Sequence, residues 1–315
     1  MNSDFALEKS AVHSNNLELA SRRARKIRER IIEFALFLAA FSAVATTVAI
    51  AAILVIESVP FFETVEVSEF LTGTQWSPLF ANPQYGILPL VAGTLTTTAV
   101  ALCVAIPLGT TIAIYLSEFA PHQVREAVKP FLELLGAVPT VVFGYFALTL
   151  VTPFLQDTIL PGLPGFNMLS AGLVMGIMII PYVSSVSEDA MRAVPMQMRE
   201  GSYAMGATRF QTATKVVVPS AFSGISAAYI LGISRAVGET MVVAVAAGQQ
   251  PNLSFNPMES AATITTYIVQ VSLGDLPHGS IAYQSIFAAG LTLMLITLVF
   301  NLIGFYLNRR FREVY

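Results

Sequence analysis

A chain of 315 residues that is 55% hydrophobic and only 12% charged does not compose a water-soluble domain, where about a quarter of residues carry charge. The mean hydropathy of +0.67 agrees, and the net charge of −3 says little, because in a membrane protein the placement of charge outweighs its sum. The single cysteine, Cys103, excludes an internal disulfide, and its apolar surroundings predict a buried packing residue.

Residues 1–30 are polar and basic, with Arg22, Arg23, Arg25, Lys26, Arg28 and Arg30 before the first apolar run. Such a segment is expected to be partly disordered, to stay on the cytoplasmic side and at most to touch lipid headgroups. No small-residue cleavage site follows a short apolar core, so the first apolar run reads as an anchor and not as a cleaved signal peptide. A span needs about 20 mostly apolar residues. Six stretches meet or nearly meet that length: 31–56, 87–116, 131–151, 168–187, 216–247 and 281–307. The organisation predicted is a first transmembrane helix over 31–57, an outward loop over 58–86, a five-helix core over 87–307 with an inward loop at 189–215, and a tail over 308–315. The fold class is an all-α polytopic membrane protein with six transmembrane helices and both termini cytoplasmic.

Sixteen of the 17 Lys and Arg residues fall in four hydrophilic segments, 9–30, 125–129, 192–215 and 309–312. With six spans, all four lie on one side, and the opposite loops, 57–86, 152–167 and 248–280, contain no Lys or Arg. That asymmetry predicts the orientation. Glu57, Glu63, Glu66 and Glu69 read as a solvated face, and Trp76 as a marker of the membrane interface. The loop at 248–280 has the length and the prolines (Pro251, Pro257, Pro277) to contact an external partner.

The inward loop before the fifth span runs Met198-Arg199-Glu200-Gly201-Ser202-Tyr203-Ala204-Met205-Gly206-Ala207-Thr208-Arg209-Phe210-Gln211. Apolar residues at helical spacing, interrupted at Gly206, predict helix, turn, helix. On these grounds alone the segment fits either an amphipathic piece lying on the bilayer or a docking surface for a soluble partner.

The fifth stretch holds the seventeenth cation, Arg235, in Ser234-Arg235-Ala236-Val237-Gly238-Glu239-Thr240-Met241. A guanidinium at the bilayer centre costs roughly 3 kcal/mol on insertion scales and roughly 10–17 in simulations of an isolated helix. It is therefore expected to face a bundle interior, a water-filled path or an anion. Glu239, four residues on, would share its face on a continuous helix and pair with it. The pair serves either to lower the insertion cost or to handle an oxyanion, for which the planar fork of Arg is suited.

Two motifs carry a resemblance. Glu200-Gly201-Ser202, three residues, Gly206, nine residues, Val216, one residue and Val218-Pro219 resemble the EAA loop of ABC importer permeases, with small residues for its two alanines and Val for its Ile and Leu. Arg235-Ala236-Val237-Gly238-Glu239-Thr240 resembles the Arg-Ala-x-Gly-Glu-Thr signature of phosphate ABC permeases, and the following Met241-Val242-Val243 is similar to the PstC-type subunit. Gly93-Thr94-Leu95, Ile106-Pro107-Leu108-Gly109, Ile114 to Glu118 and Gln270 to Gly279 add to the likeness, which covers about residues 31–315.

The resemblance implies a phosphate importer in which this chain pairs with a PstA-type permease subunit. A cytoplasmic ATPase dimer would bind ATP and Mg, and an external phosphate-binding protein would deliver inorganic phosphate. It implies translocation roles for Arg235 and Glu239, and an ATPase-coupling role for Glu200, Gly201, Ser202, Ala204, Gly206, Ala207, Arg209, Phe210 and Pro219. A separate motor is also what the residues demand, since no Gly-Lys dipeptide of a phosphate-binding loop occurs. No cofactor, metal site, catalytic residue or nucleic-acid partner is expected. A PstA-type subunit or a permease for sulfate or molybdate stays open. So does an ion-coupled carrier in which Glu239 takes up a proton, although no internal repeat of the kind such carriers use is found. An intramembrane enzyme is disfavoured because His13, His122 and His278 all lie outside the apolar stretches and no His-Glu-x-x-His occurs.

Overall fold

The structure is a computed structural model; it describes the backbone of residues 2–310 except Asp275 and His278, and the side chains from Lys26 on except 27, 307, 308 and 310. The expectations for the tail beyond 310 and for His278 lie outside the described residues. The chain forms two units, 1–56 and 57–315.

The first unit is helical. Helix α1 (Asn2–Thr64) starts in it and ends in the second unit. It runs through the N-terminal stretch that the sequence reading leaves partly disordered. That stretch is rich in Ala, Leu, Glu, Arg and Lys, good helix formers, and no Gly or Pro occurs before Pro60. Its apolar part exposes Phe34, Leu36, Phe37, Leu38 and Phe41 all round, as a lipid-immersed helix does.

In the second unit a short α2 (Val67–Thr72) leads to α3 (Leu88–Ile114), which one wide turn extends to Phe119. Then come α4 (His122–Ala137), α5 (Thr140–Phe146) running on through another wide turn into α6 (Thr152–Thr158), and α7 (Met168–Arg192). Next are α8 (Met196–Ala204), α9 (Arg209–Thr212), α10 (Val218–Ser220), α11 (Phe222–Val237) and α12 (Met241–Ala246). Finally α13 (Ile264–Ser272) precedes α14 (Ile281–Arg310). Among the described residues five helices are long and apolar enough to cross a membrane, or six if the bent pair 209–220 and 222–237 counts as one span.

Two spans differ from the sequence reading. The third begins at Thr140, not near 131, and runs to Thr158. Pro139 forces Val138 into extended backbone, so the preceding residues become the separate α4, whose polar side chains (Arg125, Lys129, Glu133) suit an interface and not the bilayer core. The fifth, over-long for one crossing and so expected to tilt, kink or run on into water, does bend and is interrupted twice. The chain bends by 72° at the 220–222 junction, and α11 ends at Val237 before Gly238 and Glu239.

Helix α7 forms the centre, packed along α3 on one side and α11 on another. Its buried row Ala171, Val174, Met175, Met178, Ile179 and Val183 belongs to the main core. Lipid tails are as apolar as these side chains, so close van der Waals contact and not water exclusion holds such helices together. Gly176 allows it: a Cβ there would stand 2.7 Å from the Ala101 carbonyl oxygen and 2.8 Å from Val104 Cβ. Gly176→Leu is therefore expected to separate α3 from α7, seen as a lower thermal midpoint of the detergent-solubilised protein by several degrees or as loss of membrane yield. A hydrogen bond of 2.7 Å between the Thr110 and Tyr229 hydroxyls ties α3 to α11.

Two further expectations need correction. Cys103 is exposed, not buried, because it sits on the α3 face away from α7. Trp76 is 4% exposed and does not present its ring to an interface; its ring stands edge-on to Tyr267 at 4.9 Å and to Phe70 at 6.3 Å. A turn over 77–84, closed by the antiparallel bridge Trp76–Tyr85, folds it inward. The long loop at 248–280 packs in part against the rest of the chain. Met168 and Leu169 amides donate to the Glu259 and Pro257 carbonyls, and α13 buries Ile264, Tyr267 and Val271. Glu57, Glu63, Glu66 and Glu69 are exposed, as read.

Candidate translocation site and coupling face

The translocation candidates lie where α11 stops. Gly238 and Glu239 amides donate to Ser234 and Ala236 carbonyls, the last turns of the helix. The Glu239 side chain then turns forward: its Oε1 accepts hydrogen bonds from the Met241 amide at 3.0 Å and the Val242 amide at 3.2 Å. It thus satisfies two of the free donors at the start of α12, the ordinary service of a capping carboxylate. The Thr265 hydroxyl donates to the Glu239 carbonyl at 2.8 Å, which fastens the break to α13. Glu239 therefore does not pair with Arg235. The expected contact required a continuous helix, and the break at Gly238 removes the shared face.

Arg235 finds a different neighbour. Its guanidinium carbon stands 4.3 Å from the centroid of the Tyr182 ring on α7. A cation over a ring face is worth about 0.5–2 kcal/mol, more as water is removed. The side chain is half-buried. Its Nε is buried and has no hydrogen-bond partner among the described residues. An unpaired donor on a charged group costs on the order of 1–3 kcal/mol or more. Tyr182 also lines a cleft of about 400 Å³ between α4 and α7, with Lys129, Glu133, Gly136 and Ser185.

The second candidate region is α8–α9. Gly206 has φ +84°, a left-handed turn that a side chain strains, and it separates the two helices. Thr208 and Gln211 form a capping box that starts α9, and the Ser202 and Thr212 hydroxyls bond at 2.8 Å across the turn. Glu200, Gly201, Ala204, Gly206, Arg209, Phe210 and Pro219 are exposed, while Ser202 and Ala207 are half-buried. Met205 is 89% exposed and Phe210 66%, an apolar presentation on a turn that points away from the core.

What fixes this platform was not singled out in the sequence. Arg199 is buried, and its guanidinium donates to Glu118 Oε1 at 2.9 Å, Glu118 Oε2 at 3.3 Å, the Val194 carbonyl at 2.6 Å and the Met191 carbonyl at 2.8 Å. One side chain thus joins α8 to the end of α3 and to the end of α7. Nearby, fully buried Glu188 lies 3.3 Å from Lys129, 3.5 Å from Arg125 and 3.7 Å from Arg192, which holds α4 against α7. The Arg125 guanidinium also donates to the Leu116 carbonyl at 2.7 Å and 2.9 Å.

Apolar helices long enough to cross a membrane around a buried core, with a polar helix–turn–helix braced on their ends, define a polytopic membrane protein. Residues 105–313 match the family described as "Binding-protein-dependent transport system inner membrane component", and the chain belongs to that family. It is 36% identical over 92% of its length to the "Probable ABC transporter permease protein YqgH" of Bacillus subtilis (strain 168), 93% of which is covered. It is 33% identical over 76% of its length to the "Phosphate transport system permease protein PstC" of Mesorhizobium japonicum, 78% of which is covered. In fold it is similar to a chain of a bacterial alginate ABC transporter solved in complex with an alginate pentasaccharide-bound periplasmic protein. That likeness has a TM-score of 0.63 and 19% identity, and covers 92% of this chain and 98% of that one. A chain of the inward-facing MetNI methionine ABC transporter gives a TM-score of 0.56 at 19% identity, over 72% of this chain and 98% of that one.

Proposed function

We propose that this ABC importer permease subunit carries inorganic phosphate across a bacterial cytoplasmic membrane by alternating access. The chain is the PstC-type partner in a heterodimer with a PstA-type subunit, and both its termini face the cytoplasm. An external phosphate-binding protein delivers the anion, and a cytoplasmic ATPase dimer, holding ATP and Mg, drives the cycle. The observation that carries the reading is the Arg235 guanidinium, kept within the bundle by Tyr182 with its Nε unpaired, in a chain whose relatives include phosphate permeases. In-plane N–H donors match a tetrahedral oxyanion. One guanidinium binds modestly enough to release it, as conduction requires. Glu239 contributes by holding the helix break one turn beyond Arg235.

The α8–α9 platform is the docking face for the ATPase, and the Arg199 joint makes it move as one body with α3 and α7. Proline fixes φ near −65°, whereas Gly206 stands at +84°. Gly206→Pro is therefore expected to unmake the turn and lower ATPase co-purification at least tenfold, on the order of 1.4 kcal/mol of binding. Glu200→Lys, on the exposed side, is expected to weaken it less. Wild-type co-purification and ATP turnover in both variants would show that the ATPase docks elsewhere.

A further inference from the structure

Tyr182 belongs to neither motif, yet its ring lies against the one cation of the long apolar stretches. The ring is held from three sides. Its neighbours Pro181 and Val183 are buried in the α7 core. Its hydroxyl donates to the Gly136 carbonyl of α4 at a long 3.4 Å. Its face meets Arg235 of α11 at 4.3 Å. The ring therefore links three helices through the guanidinium, and no carboxylate pairs with Arg235 among the described residues.

The kind of contact matters for an anion carrier. A carboxylate partner would occupy the in-plane N–H donors and compete with the incoming oxyanion. An aromatic face attracts the cation through its quadrupole and offers no carboxylate oxygen to take up the N–H donors. Among the described residues no carboxylate or carbonyl accepts a hydrogen bond from the Arg235 guanidinium, and its Nε is buried without a partner. The same contact counters snorkelling, by which a long cationic side chain carries its head to water.

We propose that Tyr182 is the positioning residue for the anion-handling guanidinium. Its π face holds Arg235 inside the bundle and keeps the N–H edge available to a passing oxyanion. The proposal rests on Arg235 being the residue that meets the anion.

The test is radiolabelled phosphate uptake by the full complex in proteoliposomes, at saturating phosphate-loaded binding protein. Tyr182 is replaced by Phe, by Leu, and by phenylalanines carrying one, three and five ring fluorines, which weaken the ring face at nearly constant shape. Phe should keep uptake within about twofold of wild type, and Leu should lower it about tenfold, the scale of a desolvated cation–π contact. Fluorination should lower uptake stepwise from the Phe value towards the Leu value, with subunit assembly unchanged. A packing role would leave the fluorinated series flat, and that result overturns the proposal even if the Leu variant fails to assemble. The two claims separate cleanly. A flat series with an inactive Arg235→Gln variant removes only the role of Tyr182, whereas normal uptake by Arg235→Gln removes the anion-handling reading and this proposal with it.

Discussion

Arg235→Gln is expected to abolish phosphate uptake, by at least about a hundredfold, while the subunits still assemble and the ATPase still docks. A hydrogen bond to a charged group contributes about 1.5–3 kcal/mol, and a forked pair of them accounts for a loss of that size. Gln keeps length and some hydrogen bonding but removes the charge and the fork. It also removes the cost of holding a cation in the bundle, so the variant should be no less stable than the parent. This separates a transport defect from a folding defect. Arg235→Lys should also impair uptake, because a point charge cannot reproduce the planar donor edge. Equal rates for Lys and Arg would reduce the role to charge alone, and normal uptake by the Gln variant would remove it.

The second large effect is expected at Arg199→Leu. The change leaves the Glu118 carboxylate, whose side chain is 6% exposed, without its cation, and strips the Met191 and Val194 carbonyls of their donor. Breaking one side of a buried pair costs about 3–5 kcal/mol. The thermal midpoint of the purified complex should fall by several degrees, and ATP-driven uptake should be lost. Removing both charges, as Arg199→Leu with Glu118→Leu, should restore most of the stability, since apolar replacement of a buried pair is often neutral. It should not restore uptake, because α8 is then no longer tied to the ends of α3 and α7. Wild-type uptake in the double variant would mean that the joint is only structural.

Much of the architecture follows from apolar run length. Stretches 87–116, 168–187 and 281–307 lie within α3, with the wide turn that extends it, α7 and α14 to within a few residues. The misreadings share one cause: a run of apolar residues does not report where the backbone turns. Pro139 divides the run that contains the third span, and Gly238 ends the fifth before Glu239. The i, i+4 spacing of Arg235 and Glu239 promised a pair only while the helix continued. Once it stops, the carboxylate is closer to the free amides of α12 than to the guanidinium.

The 189–215 loop was legible as helix, turn and helix because Gly206 and the apolar spacing are local signals. Its anchor was not, since Arg199 and Glu118 are 81 positions apart and each reads as an ordinary charge near a span end. Glu118 and Glu188, acids near span ends, read as pairing with a nearby Arg or Lys, and they do; which cation each one takes was not legible. Tyr182 gave no sign of its role, because an aromatic residue in an apolar helix is ordinarily just packing. Trp76 and Cys103 failed in opposite senses for the same reason, as local composition does not say which face of a segment meets the core.

The most direct measurement is ATP-dependent uptake of radiolabelled phosphate by proteoliposomes holding this chain, its permease partner and the ATPase, with loaded binding protein outside. Unlabelled sulfate and molybdate are added as competitors. Uptake that requires ATP and binding protein, and that neither competitor reduces, is the predicted result. Transport driven by an ion gradient without ATP, or label displaced by sulfate or molybdate as readily as by phosphate, would contradict it.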